Sequence, residues 1–238
     1  DEVLKNKNID VVVRGEGEKT LKELVDLITN EKDYSQVQGI SIRRNGNIIH
    51  NLDRPLIMEL DEIPAYPFDL FEKNLEQYSN FGAVFTSRGC PYNCIFCSSR
   101  SVSGKRYRYF SVDRVLSEIK ILVDKYHIKS IMFLDDNIAV NQKYFTSILD
   151  AIIEADLHRK VNFSGSMRGD NVNYKILEKA KAANFMMIAF GLETGSESLM
   201  KLIGKGETVE QVAEAIRMTD QKEIAAATTI IFGLPTET

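Results

Sequence analysis

Proline, histidine and tryptophan are scarce in these 238 residues, with five, three and none. Cysteine is scarce too, and its three residues, an odd number, all fall between Cys90 and Cys97. A secreted disulfide framework is even in number and spread along the chain, so this pattern points to a reducing, cytoplasmic setting. Charge of either sign is not in large excess. With 30 Lys plus Arg against 34 Asp plus Glu, the net −4 is too mild for a nucleic-acid footprint or a membrane-surface face. Apolar runs fall far short of the ~20 residues that span a bilayer, and no signal-peptide pattern is read at the start. What is present is ordinary globular composition, 44% hydrophobic and 27% charged, which excludes wholesale disorder. At ~150 residues per domain the length implies one or two domains. The chain opens without Met and stops at Pro235-Thr236-Glu237-Thr238, just after an apolar run, so it reads as a piece of something longer.

The first segment reads strand then helix. Ile9 to Val13 is a β-branched run, and Leu21, Leu24, Val25 and Ile28 predict one apolar face of a helix over 18–29. Gly39–Ile42 and Asn47–Ile49 flank Asn45-Gly46, a pair suited to the positive φ angles of a type I′ hairpin turn. Residues 53–78 hold Pro55, Pro64 and Pro67 without a clean period and read as a linker. Beyond it, strand-like runs at Ala83–Thr86, Ser130–Leu134, Val161–Phe163, Met186–Phe190 and Ala226–Phe232 alternate with helical patterns. Val115, Ile119, Leu122 and Tyr126 mark one helix, and Phe145, Ile148, Leu149 and Ile152 the next. Leu177, Ala180 and Asn184 mark a third, and Thr208-x-x-Gln211 opens the last as a capping box. Such alternation predicts a parallel sheet, either barrel-like or doubly wound, with function on the loops at the strands' carboxyl ends.

The first of those loops is Thr86-Ser87-Arg88-Gly89-Cys90-Pro91-Tyr92-Asn93-Cys94-Ile95-Phe96-Cys97. Three thiolates spaced Cys-x3-Cys-x2-Cys can hold three irons of a 4Fe–4S cluster, whereas electron-transfer clusters take four. The fourth iron is then open to a substrate or cofactor, as the vacant position of a catalytic zinc site is. Two zinc readings compete: a structural ion completed by His50, His127 or His158, and a catalytic ion on three thiolates plus water.

Cys90, Cys94, Phe96 and Cys97, in the pattern Cys-x3-Cys-x-aromatic-Cys, resemble the motif of the radical S-adenosylmethionine (radical SAM) superfamily. The resemblance implies an α/β fold, a (β/α)6 barrel of which five strands are present. It implies that the open iron chelates SAM, that Phe96 packs near the adenine, and that cluster reduction splits SAM to a 5′-deoxyadenosyl radical. Reduced flavodoxin or ferredoxin is the implied electron donor. Asp135-Asp136-Asn137 stands where the family carries a motif, often Gly-Gly-Glu, that meets the SAM amino group; this sequence departs from it, and a helix-capping turn before Asn141 is the structural alternative. Arg168 is placed to pair with the SAM carboxylate, or is a surface arginine. Glu193, in Gly191-Leu192-Glu193-Thr194-Gly195-Ser196-Glu197, is placed to hold the ribose hydroxyls or to orient Arg168. Lys205 is a further carboxylate partner or a solvated loop lysine. Ile231, in Ile231-Phe232-Gly233-Leu234-Pro235, is placed to line the adenine pocket. Arg100, Lys105, Arg106 and Arg108 after the cysteines would meet an acidic substrate or donor protein, or form a solvated face.

Asp10-Val11-Val12-Val13-Arg14-Gly15-Glu16-Gly17-Glu18, the hairpin, and Leu60-Asp61-Glu62-Ile63-Pro64 resemble the join between a cobalamin-binding domain and the barrel in the anaerobic magnesium-protoporphyrin ester cyclase-like group. That resemblance implies residues 1–52 as the C-terminal remnant of a doubly wound cobalamin-type domain plus hairpin, 53–78 as linker, and 79–238 as a truncated radical SAM core. The Asp-x-His-x-x-Gly loop that usually grips cobalamin is absent, so cobalamin is expected in a full-length parent only. The expected reaction is methylation or cyclisation of a small molecule. A transfer-RNA-modifying, methylthiotransferase-like enzyme is the alternative, but the three further upstream cysteines of that group are missing. A non-catalytic zinc or redox module is the other.

Overall fold

The computed structural model describes residues 2–78 and 81–237, and the chain forms two units. One is the chain up to Met58 with Ser98–Gly104; the other is Glu59–Cys97 with Lys105 onward. In the first, helix α1 (Glu2–Lys5) precedes strand β1 (Val11–Val13) and helix α2 (Glu18–Thr29). Strands β2 (Ile40–Arg44) and β3 (Asn47–His50) form the hairpin, and α3 (Ser99–Val102) completes the unit. Asn45 and Gly46, at φ 50° and 80°, make the expected turn. The sheet is antiparallel in the order β1-β2-β3, with Val13 opposite Ile40 and Ile42 opposite Ile49. Val37, Ile40 and Ile42 form its core, against Val11, Val13, Leu27 and Tyr34. Helix α2 spans the predicted residues but turns a different stripe inward. Thr20 and Leu24 are buried, while Leu21, Val25 and Ile28 are about half exposed. The face is set by Thr20, whose hydroxyl accepts from Arg54 Nε at 2.8 Å and donates to Gln38 O at 3.4 Å.

In the second unit strands β4 (Ala83–Val84), β5 (Ser87–Arg88) and β6 (Arg108–Tyr109) precede α4 (Val112–Lys120) and β7 (Ser130–Phe133). Then follow α5 (Gln142–Glu154), β8 (Asn162–Met167), α6 (Tyr174–Ala182) and β9 (Phe185–Glu193). Helices α7 (Glu197–Leu202) and α8 (Val209–Gln221) lead to β10 (Ala225–Ile230). The helices start where side chains cap them: Ser111, Asn141, Asn173, Ser196 and Thr208 each accept from a backbone N–H two or three residues into the first turn, and Thr208 with Gln211 closes the capping box.

Five strands pair in parallel in the order β10-β9-β8-β7-β4. The order never reverses, which is the wall of a (β/α) barrel and not a doubly wound sheet. Several boundaries differ from the sequence expectation: the fourth strand runs on to Glu193, the fifth stops at Ile230, and the first and third differ for visible reasons. The first strand breaks after Val84, because Ser87 and Arg88 leave to pair with Tyr109 and Arg108. The third runs on through Ser164-Gly165-Ser166-Met167, where Gly165 lets the strand lie close against Phe133.

The core lies between sheet and helices. Phe133, Phe163 and Phe185, from three adjacent strands, stack with centroids 5.6 to 5.9 Å apart, and Phe145 of α5 meets Phe185 edge-on at 5.8 Å. Among the described residues no helix is long and apolar enough to cross a membrane. Phe163→Ala removes a fully buried ring from this stack and is expected to lower unfolding free energy by about 3–5 kcal/mol in urea denaturation. A loss below about 1 kcal/mol, the scale of an ordinary substitution, would remove the stack from its central place.

Candidate active site

The cysteine loop is fixed at its root before any cysteine is reached. Thr86 is fully buried, and its N–H and hydroxyl donate to Asp135 at 3.1 and 2.7 Å. Its carbonyl accepts from Phe110 N–H at 2.9 Å and from the Tyr144 hydroxyl at 3.0 Å. Ser87 also donates its hydroxyl to Asp135. Gly89, at φ 86°, then turns the chain into Cys90 with a conformation that a side chain would oppose. Further along, Ile95 N–H reaches Ile203 O at 2.9 Å, and Cys97 N–H closes a turn on Cys94 O at 3.2 Å.

Cys90, Cys94 and Cys97 line one cavity of about 230 Å³ at the carboxyl ends of the parallel strands. Arg168, Glu193 and Lys205 also line it, and all three are buried. The Arg168 guanidinium lies 3.6 Å from the centroid of Tyr92, between the first two cysteines. It grips Asp170 with Nε and Nη2 at 3.0 and 2.7 Å, and Nη1 donates to Lys205 O at 2.7 Å. Burial works against its charge, but Asp170 and nearby Glu207 outweigh that and hold the guanidinium above its usual pKa.

Lys205 Nζ is shared. It donates to Gly191 O and stands 3.3 Å from Glu193 Oε1 and 3.2 Å from Glu207 Oε1. A Cβ at position 191 would meet both Glu193 Oε1 and Lys205 Nζ, so a side chain there would displace this pair. Glu193 accepts from the Thr229 hydroxyl at 3.2 Å, and its backbone is left-handed at φ 61°. A non-glycine residue held there stores about 1–3 kcal/mol of strain, a cost met at functional sites. The register of β9 with β10 slips at this point, so that Ile230 pairs with Glu193.

Burial pushes the Cys90 thiol up, with Asp136 adding to the rise. Burial also raises Cys94, although Arg168 and Lys205 pull it back. Three soft sulfur donors beside buried cations suit a thiolate-bound metal group. Among the described residues no three His, Cys, Asp or Glu side chains gather closely enough to hold one metal ion. His127 and His158 are not among the lining residues, and His50 is hydrogen-bonded to Ser41 at 2.7 Å.

Of the remaining sequence candidates, Phe96 and Asp136 line the cavity. Asp135 does not; its carboxylate is engaged with Thr86 and Ser87. Ile231 does not either: it packs on Leu199, Met200, Ile203 and Leu234, while its N–H binds Glu193 O at 2.9 Å. Glu193 reaches Lys205, and the group that orients Arg168 is Asp170. Lys105 and Arg106 are exposed, but Arg108, on paired β6, is buried. Sequence reasoning passed over Tyr92, Asp170, Glu207 and Thr229. Only Tyr92 carried a signal, lying inside the cysteine motif.

The sequence profile of the Radical SAM superfamily matches residues 84–238. An uncharacterised methyltransferase of Pyrococcus horikoshii is 39% identical over 232 residues, 97% of this chain and 50% of that protein. The anaerobic magnesium-protoporphyrin IX monomethyl ester cyclase of Synechocystis sp. is 30% identical over 236 residues, 96% of this chain and 46% of that protein. The chain thus spans about half the length of the curated relatives it matches. Among solved structures, OxsB, a cobalamin-dependent S-adenosylmethionine radical enzyme with aqua-cobalamin and S-adenosylmethionine bound, aligns at a TM-score of 0.79 and 26% identity, over 93% of this chain and 33% of that one.

Lys205→Met leaves Glu193 and Glu207 buried without their shared cation. The expected loss is about 3–5 kcal/mol in urea denaturation. A variant as stable as the unsubstituted chain would show that the shared ammonium does not hold this wall together.

Proposed function

This chain belongs to the radical SAM superfamily, and from that premise we propose that it carries the cluster-binding and SAM-binding core of a methylating or cyclising enzyme for a small-molecule substrate. The observation that carries the proposal is the convergence of the cysteine loop with buried Arg168 and Glu193 on one cavity at the strand ends. Cys90, Cys94 and Cys97 hold three irons of a 4Fe–4S cluster. When bound, that cluster supplies the electron that cleaves SAM reductively to a 5′-deoxyadenosyl radical. The protein's own residues bind and orient. Phe96 offers an apolar face to adenine, and Asp136 faces the amino end of SAM. Arg168, locked by Asp170 and Tyr92, presents its remaining N–H groups to a carboxylate. Glu193 is held for the ribose by Thr229 and Lys205, so Lys205 acts through Glu193.

The methyltransferase and cyclase names of the relatives favour methylation or ring formation as the outcome. In the full-length parent, residues 1–52 are the C-terminal remnant of a cobalamin-binding-like domain, 53–78 the linker and 79–238 the core, and cobalamin is held by the parent alone. Reduced flavodoxin or ferredoxin is the electron donor, and exposed Lys105 and Arg106 suit its acidic surface. The three free thiols fit a reducing cytoplasm.

Anaerobic reconstitution with iron and sulfide tests the proposal. The expected result is about four irons per chain and an electron paramagnetic resonance signal that changes when SAM is added. One tightly bound zinc and no iron would overturn it. Cys94→Ala leaves two thiolates and is expected to abolish iron retention on desalting, whereas full retention would remove Cys94 from the ligand set.

A further inference from the structure

Asp135 and Asp136 are adjacent at the carboxyl end of β7, yet only Asp136 lines the cavity. Asp135 is 4% exposed, and its carboxylate accepts from Thr86 N–H at 3.1 Å, the Thr86 hydroxyl at 2.7 Å, the Ser87 hydroxyl and the Ser87 N–H. The two donor residues are consecutive, and Ser87 stands three positions before Cys90. Thr86 is otherwise held by the Tyr144 hydroxyl and Phe110 N–H on its carbonyl, so all its polar groups are engaged. Burial pushes the Asp135 carboxyl up and the Ser87 and Thr86 donors pull it back, so these hydrogen bonds are what favour its ionised, acceptor-only form there.

We infer that Asp135 is a positioning residue: it ties the root of the cysteine loop to the adjacent strand of the sheet and so sets where Cys90 stands relative to Cys94 and Cys97. The inference rests on the cluster reading for its effect on iron, but the anchoring itself is a property of the metal-free chain. The role is separate from SAM contact. Asp135 touches neither the cavity nor any cysteine and acts through two residues of the loop's root.

Three variants test it: Asp135→Asn, Asp135→Asn combined with Ser87→Ala, and Leu149→Ala as a destabilised control whose fully buried side chain belongs to α5. Two readouts are used. The first is the rate at which a ferrous chelator strips iron from the anaerobically reconstituted chain. The second is the rate at which iodoacetamide alkylates Cys90 in the metal-free chain, followed by peptide mass spectrometry. In Asp135→Asn both rates are expected to rise about tenfold, the factor that a charged hydrogen bond carries. Ser87→Ala added to Asp135→Asn should change little more, because both substitutions break the same contact. Leu149→Ala should lose thermal stability and keep both rates. An Asp135→Asn chain that loses iron no faster than Leu149→Ala, with Cys90 alkylated at the unsubstituted rate, overturns the anchoring. If the unsubstituted chain takes up no iron, the cluster reading fails by itself, and the alkylation rate alone decides on Asp135.

Discussion

The guanidinium of Arg168 is the group on which the cavity wall depends. It is a planar cation fixed in place, and it engages three segments that the chain brings in separately: Tyr92 of the cysteine loop, Asp170 after β8, and the carbonyl of Lys205 after α7. A buried cation of this kind is tolerated only when matched, and breaking such a match leaves an uncompensated charge. Asp170 and Glu207 supply the match, and Glu207 in turn accepts from the backbone N–H of Asp170 at 3.3 Å. Once Glu207 is buried it needs a cation itself, which is Lys205, and Lys205 brings Glu193 to the same point. The wall follows as a chain of charge compensation.

The end of a strand divides the labour of neighbouring residues. Just past the end of β7 the chain turns Asp135 towards the loop root and Asp136 towards the cavity, two acids with identical chemistry and different tasks. Ile231 is likewise kept out of the cavity by its place in the chain. It lies just past the end of β10, where its N–H still serves Glu193 while its side chain joins the apolar cluster of α7.

These particulars show what was legible in the sequence. The cysteine spacing was legible because its chemistry is local, and so was the cap at Thr208, where one side chain serves a backbone group three residues on. The β-branched and apolar runs located the five strands to within a few residues. The strand through Ser164-Gly165-Ser166-Met167 was not legible, since its small polar residues are strand-like only because Phe133 packs over Gly165. Nor was the burial of Arg168, Lys205 and Glu207, because a charged residue goes inside only where distant partners compensate it. Helix α2 was located correctly and its inward face was not. The apolar periodicity favoured Leu21, Leu24, Val25 and Ile28, of which only Leu24 is buried, beside hydrogen-bonded Thr20.

The unbroken order of the parallel sheet also bears on the time at which things happen. Each strand from β7 to β10 pairs with the one synthesised before it, so this sheet can grow strand by strand as the chain leaves the ribosome. The loop with Cys90, Cys94 and Cys97 follows β4, the first strand of that series, while Arg168, Glu193 and Lys205 emerge some 70 to 115 residues later. At the usual ~5–20 residues per second this is an interval of several seconds or more. During it the three thiols exist without these buried residues of their cavity, and that is when they are most open to delivery of a metal group and to oxidation alike.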